Sequence, residues 1–158
     1  MSGIQLPVLL AQRLREAARQ MRAAFEKMPA ERQTWSPEVE GNRGRDALDQ
    51  VLECAYVNAM GARAFQTGHI PEWDSTDYRA QTDARRSPDA ALQWLQESTD
   101  ALAAAVESRS EEQLATKVRH PFAPQDVTLA ELTDLFYWNT VYHIGQINYI
   151  QTLYGDRS

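Results

Sequence analysis

Apolar residues return every three or four positions along most of this chain, the spacing of a helix that buries one face. Leu10, Leu14, Ala17, Met21, Phe25 and Met28 carry the pattern first, with Arg and Glu between them, and predict an amphipathic helix over 7–28. The stretch MPAERQTWSPEVEGNRG, rich in Pro, Gly and polar residues, reads as the loop that ends it. A second helix is predicted over 45–65 from two adjacent stripes, Leu48-Leu52-Ala55-Ala59-Ala62 and Val51-Cys54-Asn58-Gly61-Phe65. Two stripes make a wide buried face, and their small residues let another helix come close.

TGHIPEWDSTDYRAQTDARR follows without clear periodicity. Connections this long in compact domains are functional or carry a short helix of their own. Ser87-Pro88-Asp89 then marks a helix start, with a capping hydroxyl, a proline in the first turn and an acid at the positive helix end. Ala91, Leu95, Ser98, Leu102 and Ala105 are the inward stripe of that third helix. After the irregular ATKVRHPFAPQDV, the capping box Thr128-Leu-Ala-Glu131 opens a last helix that runs to Tyr154 and stops at Gly155. It spans about 40 Å. Four long helices, no convincing strand run and no internal repeat predict an all-α four-helix bundle forming one domain over 1–158.

The last helix is unusual. Its seam, Leu132, Phe136, Asn139, His143, Gln146, Ile150 and Leu153, is spaced 4, 3, 4, 3, 4, 3, with apolar ends and a polar middle. A buried polar group without a partner costs about 1–3 kcal/mol. Asn139, His143 and Gln146 therefore bond one another, bond Cys54 or Asn58, or contact water or a ligand. The opposite side carries Trp138, Val141, Tyr142, Ile144 and Tyr149, and a helix apolar nearly all round is covered on more than one side. We expect a subunit interface there, most simply a two-fold homodimer.

Composition narrows the function. The 158 residues carry a net charge of −6, and basic residues are scattered singly or in pairs such as Arg85-Arg86. A nucleic-acid binder is expected to show a basic face, so that class is set aside. One cysteine excludes an internal disulfide framework and suits a reducing compartment. MSGIQLPVLLAQRLRE lacks the basic segment and cleavage pattern of a signal peptide, and no apolar run has the length to span a bilayer. The expectation is a cytoplasmic protein without membrane partners.

The order and spacing of KMPAERQTWSP, DQVLECAYVN and NTVYHIGQINYIQTLYG resemble the DinB/YfiT-like superfamily over nearly the whole chain. That resemblance implies a four-helix bundle, in many members with a divalent metal on three histidines, one on the second helix and two at i and i+4 on the last. Here His143 falls on the second histidine of the last-helix pair, and Asn139 stands in place of the first. Cys54 sits where the second helix supplies its histidine, with Glu53 the adjacent candidate under a shifted alignment. The candidate metal residues are thus Cys54, Asn139 and His143, with Asn58 and Gln146 as pocket-lining supports. An amide oxygen is a weak ligand for zinc or nickel, and a thiolate differs from imidazole in reach. The substitutions imply a degenerate site that has lost its metal and kept its cavity, possession of zinc or nickel being the alternative.

Characterised relatives include metal-dependent enzymes that use low-molecular-weight thiols such as mycothiol or bacillithiol, where the metal lowers the thiol's pKa. Two functions stay open for this chain. One is a small-molecule binder or non-catalytic interaction module. The other is a metal- or thiol-dependent transferase in which Cys54 and His143 do chemistry, in the pocket between the second and last helices. No catalytic residue is assigned. His69 and His120 are read as surface histidines, with the option that His120 folds over the bundle mouth.

Overall fold

The computed structural model describes residues 5–120 and 124–156. Residues 121–123, inside the passage read as irregular, lie outside that range. The helices are α1 (Leu6–Glu26), α2 (Ala47–Thr67), α3 (Ser75–Asp83), α4 (Pro88–Glu107), the single turn α5 (Glu111–Leu114) and α6 (Leu129–Leu153). Two short antiparallel ladders sit in the connections, β1 (Glu38–Val39) with β2 (Asn42–Arg43) and β3 (Lys117–Arg119) with β4 (Asp126–Thr128). Strands of two and three residues leave too little alternation to read from sequence.

The helix starts follow from side-chain capping. Thr128 and Glu131 form a reciprocal box: the Glu131 amide donates to Thr128 Oγ1 at 3.1 Å, and the Thr128 amide donates to Glu131 Oε2 at 2.7 Å. Asp46 and Asp49 do the same for α2, at 2.8 and 3.3 Å. Ser87 caps α4, accepting from the Ala90 amide at 3.4 Å.

Around the bundle the order is α1, α4, α2, α6, so α1 and α2 occupy one diagonal and barely touch although they are consecutive long helices. Contacts at the two ends give the directions. At one end the Leu6 amide, at the start of α1, donates to Glu111 Oε1 at 3.3 Å, and Arg109, just past α4, donates to the Phe65 carbonyl near the end of α2. At the other, Arg86 meets Asp49 at 2.8 Å, and Gln151 Nε2 donates to the Ala24 carbonyl at 2.9 Å. Hence α1 and α6 run one way and α2 and α4 the other. The chain leaving α2 must return the whole length of that helix, about 30 Å, before α4 can begin. That journey explains why the 68–86 connection is long, and α3 is its middle.

Two apolar clusters fill the interior. One gathers Met21, Phe25, Leu48, Leu52, Leu95 and Ile147; the other gathers Leu10, Leu14, Phe65, Leu102, Leu132 and Phe136. Close helix contact is built in at Gly61, where an added Cβ would lie 2.9 Å from the Phe136 ring. Between the clusters, buried Asn58, Ser98, Thr99, Thr140 and His143 form a polar layer. Asn58 Nδ2 donates to Thr99 Oγ1 at 3.0 Å.

The α6 seam follows the predicted spacing at its start and drifts at its end. Leu132, Phe136, His143 and Ile150 are buried, but Leu153 is 44% exposed and Ile147 is buried in place of Gln146. A straight helix drifts about 20° per heptad from a strict seven-residue repeat, so three heptads turn Leu153 about 60° away from the core.

Candidate functional site

His143 is the centre of the buried polar group, with 3% of its surface exposed. Its Nδ1 lies 2.5 Å from Gln50 Oε1 and 2.7 Å from Gln146 Oε1, while its Nε2 faces Glu53 Oε1 at 3.0 Å. The other Glu53 oxygen accepts from Arg45 Nη1, and Arg45 Nη2 donates to the Asp49 carbonyl at 3.0 Å. The Tyr142 ring meets the imidazole edge-on at 5.3 Å. One helix therefore supplies the imidazole, and three positions of α2 and its approach hold the groups that orient it.

Electrostatics follow from this packing. Burial pushes the Glu53 carboxyl up, but the hydrogen bond from His143 and the charge of Arg45 outweigh it, leaving Glu53 below its ordinary value. Burial drives the Cys54 thiol far up, and the neighbouring Glu53 charge adds to the effect. Burial thus favours the neutral thiol of Cys54 over the thiolate.

The predicted residues separate into two contacts. Asn139 Nδ2 donates toward Cys54 Sγ at 3.7 Å, so those two meet across α2 and α6. The α2 partners of His143 are Gln50 and Glu53, one helical step away from Cys54. Gln146 supports the His143 ring, and Asn58 turns toward α4 and Thr99. For Gln50 the sequence carries one signal, its place four residues before Cys54 on the same stripe.

Beside this group opens a cavity of about 670 Å³ in the groove between α2 and α6. Val57, Met60, Leu132, Leu135 and Phe136 wall it, and Glu53 and Asn139 place polar groups on it. The first stretch of the 68–86 connection, Gly68 to Trp73, and strand β3 with His120 also line the groove. His69 and His120 both line it, although their loops give no periodic signal. Trp73 is anchored edge-on to Tyr56 at 5.4 Å, and Tyr56 donates to Asp77 of α3 at 3.0 Å, which ties the crossover to the bundle.

The sequence profile of the DinB superfamily matches residues 13–147. The chain belongs to the DinB superfamily. Among solved structures, YfiT from Bacillus subtilis shares the fold of this DinB-superfamily chain with a TM-score of 0.77 at 20% identity, over 94% of this chain and 87% of its own. That protein is described as "a probable metal-dependent hydrolase with an unusual four-helix bundle topology". The mycothiol-dependent maleylpyruvate isomerase superimposes with a TM-score of 0.65 at 14% identity, over 93% of this chain and 63% of the isomerase. These likenesses establish the fold. No curated protein matches the chain in sequence.

The description of YfiT as a probable metal-dependent hydrolase raises the question of which donors this chain places at the α2–α6 groove. Glu53 and His143 are of the right types, but they face each other and Arg45 already balances the carboxylate charge. The raised Cys54 thiol is not available as thiolate, and it accepts from Asn139. Among the described residues no group of three or more His, Cys, Asp or Glu is disposed to hold an ion. Among the described residues the donors at this place are thus Glu53 and His143, already paired with each other. No helix among the described residues is long and apolar enough to cross a membrane.

Proposed function

We propose that this DinB-superfamily chain binds a small organic molecule in the α2–α6 cavity, with no resident metal. One observation carries the reading: an apolar cavity of about 670 Å³ with Glu53 and Asn139 on its wall. Ligand sites of about 300–1,000 Å³ are typically apolar with a few placed polar groups. The ligand's body would lie on Met60, Leu135 and Phe136, and a hydrogen-bond donor on it would meet Glu53, whose orientation Arg45 and His143 hold. The lone cysteine, kept as a thiol, suits the cytoplasm.

A thermal-shift screen of untagged protein against low-molecular-weight thiols, small carboxylic acids and amines tests this. A ligand at about 100 times its Kd adds about 2.7 kcal/mol of stability. The shift is expected to vanish in Leu135→Trp, which fills the cavity, and to survive in Arg19→Ala, on the exposed face of α1 away from it. A hit that persists in Leu135→Trp, or a flat screen, overturns the proposal. Elemental analysis checks the metal clause: stoichiometric zinc or nickel that disappears in His143→Ala overturns it.

The position of the Glu53–His143 pair beside the cavity favours one further reading, thiol-dependent transfer. A low-molecular-weight thiol in the cavity would give its S–H proton to the Glu53 carboxylate and attack, as the thiolate, a carbon of a bound co-substrate; the bond from that carbon to its leaving group would break as the C–S bond forms, and the leaving group would take the proton from Glu53. Turnover with such a thiol that is lost in Glu53→Gln, with thiol binding retained, would support it.

A further inference from the structure

Helix α6 contains no Asp, Glu, Lys or Arg from Leu135 to its end, in a chain that is 24% charged. Half of that helix nevertheless faces outward. Trp138 is 61% exposed, Tyr142 50% and Tyr149 64%, and Trp138 stacks on Tyr142 at 5.3 Å and 20° to make one flat aromatic surface. In the same strip sits Gly145, exposed in mid-helix. A Cβ added there would meet nothing within 4 Å, so the packing of this chain gives no reason for a residue that weakens a helix. Gly61 has such a reason in Phe136; Gly145 needs one from outside.

We infer that this strip is the seam of a two-fold homodimer in which two α6 helices pack antiparallel. Trp138, Tyr142, Gly145 and Tyr149 are spaced 4, 3, 4 and lie within one narrow sector of the helix. That spacing is its own mirror about a point between His143 and Ile144. An axis through that point sets Trp138 of each copy against Tyr149 of the other, and Tyr142 against Gly145. The absent Cβ receives the tyrosine ring, which explains the glycine. Self-complementarity of one patch is what a two-fold interface requires. Aromatic enrichment with charge depletion is the composition of an interface core. A membrane surface fits less well, because a helix lying in a bilayer interface carries Lys and Arg on its polar face and α6 has neither along this stretch. Trp138 also lines the cavity, so the seam borders the cavity mouth.

Analytical ultracentrifugation of the full chain, from micromolar to sub-millimolar concentration, tests the inference. The wild type is expected to sediment at twice 17.9 kDa. Tyr149→Arg is expected to sediment as the monomer with helical circular dichroism unchanged, its position being exposed. Gly145→Ala is expected to weaken the dimer about tenfold or more by filling the ring's seat, without loss of helix. Tyr142→Glu is expected to be monomeric, and Tyr142→Glu/Gly145→Lys to reassemble. Only the antiparallel register lays each introduced carboxylate beside the other copy's introduced amine. A monomeric wild type, including one that floats with lipid vesicles, overturns the inference. So does a dimer untouched by Tyr149→Arg, and a double variant that stays monomeric overturns the register.

Discussion

Removing the imidazole of His143 tests whether the buried polar group is coupled as the geometry requires. His143→Ala strips the amide of Gln50, a residue only 3% exposed, and Glu53 Oε1 of the partner each has at 2.5 and 3.0 Å. A buried polar atom left unsatisfied costs about 1–3 kcal/mol, and the lost ring leaves a small void. Water reaches Glu53, whose side chain is 22% exposed, so its share is the smaller. We expect a loss of about 2–4 kcal/mol, equivalent to a Tm lower by about 5–15 °C in a domain of this size. Glu53→Ala should cost about 1–3 kcal/mol, because Arg45, 45% exposed, returns to solvent at little cost. In the double variant neither partner is stranded by the other's absence, so its loss should fall short of the sum by about 1–2 kcal/mol. Urea titration followed by circular dichroism measures all four corners of the cycle. Additivity within about 0.5 kcal/mol would refute the coupling, and with it the claim that Glu53 is held in place from behind.

Acid titration gives an independent check. The folded pKa of Glu53 lies below its ordinary 4.5, so its contribution is complete above that value and is lost as pH falls through the folded one. Glu53→Gln should therefore flatten part of the stability–pH slope below about pH 4.5, and an unchanged slope there would count against the pairing with His143 and Arg45. Gly61→Ala sets a Cβ 2.9 Å from the Phe136 ring and 3.1 Å from Leu102. Its overpacking cost of about 1–3 kcal/mol should exceed the helix-propensity gain of about 1 kcal/mol, giving a net loss in urea melts. Cys54, wholly buried and raised in pKa, should react with a thiol reagent only as fast as the chain opens; modification at the rate of a free thiol would contradict its placement.

What the chain's own pattern determines is local. The four long helices, the capping box at Thr128 and Glu131, the start at Ser87 and the polar middle of α6 all depend on residues within a few positions of one another. Helix periodicity and end-capping are short-range physics, so they are legible without a fold. The superfamily resemblance was legible for the same reason, being carried by spacing along single helices.

What faces what across helices is different. Neighbouring residues on α2 differ by about 100° around its axis, so the small rotation that aims Glu53 at His143 and Cys54 at Asn139 is set by packing against all the other helices at once. Periodicity tells which stripe is inward, not which member of it meets which partner. The return of the 68–86 crossover along α2, and the arrival of His69 and His120 at one cavity, depend on helix directions that only the closed bundle decides. Segments without periodicity carry no signal of where they will lie, and two of them line the cavity.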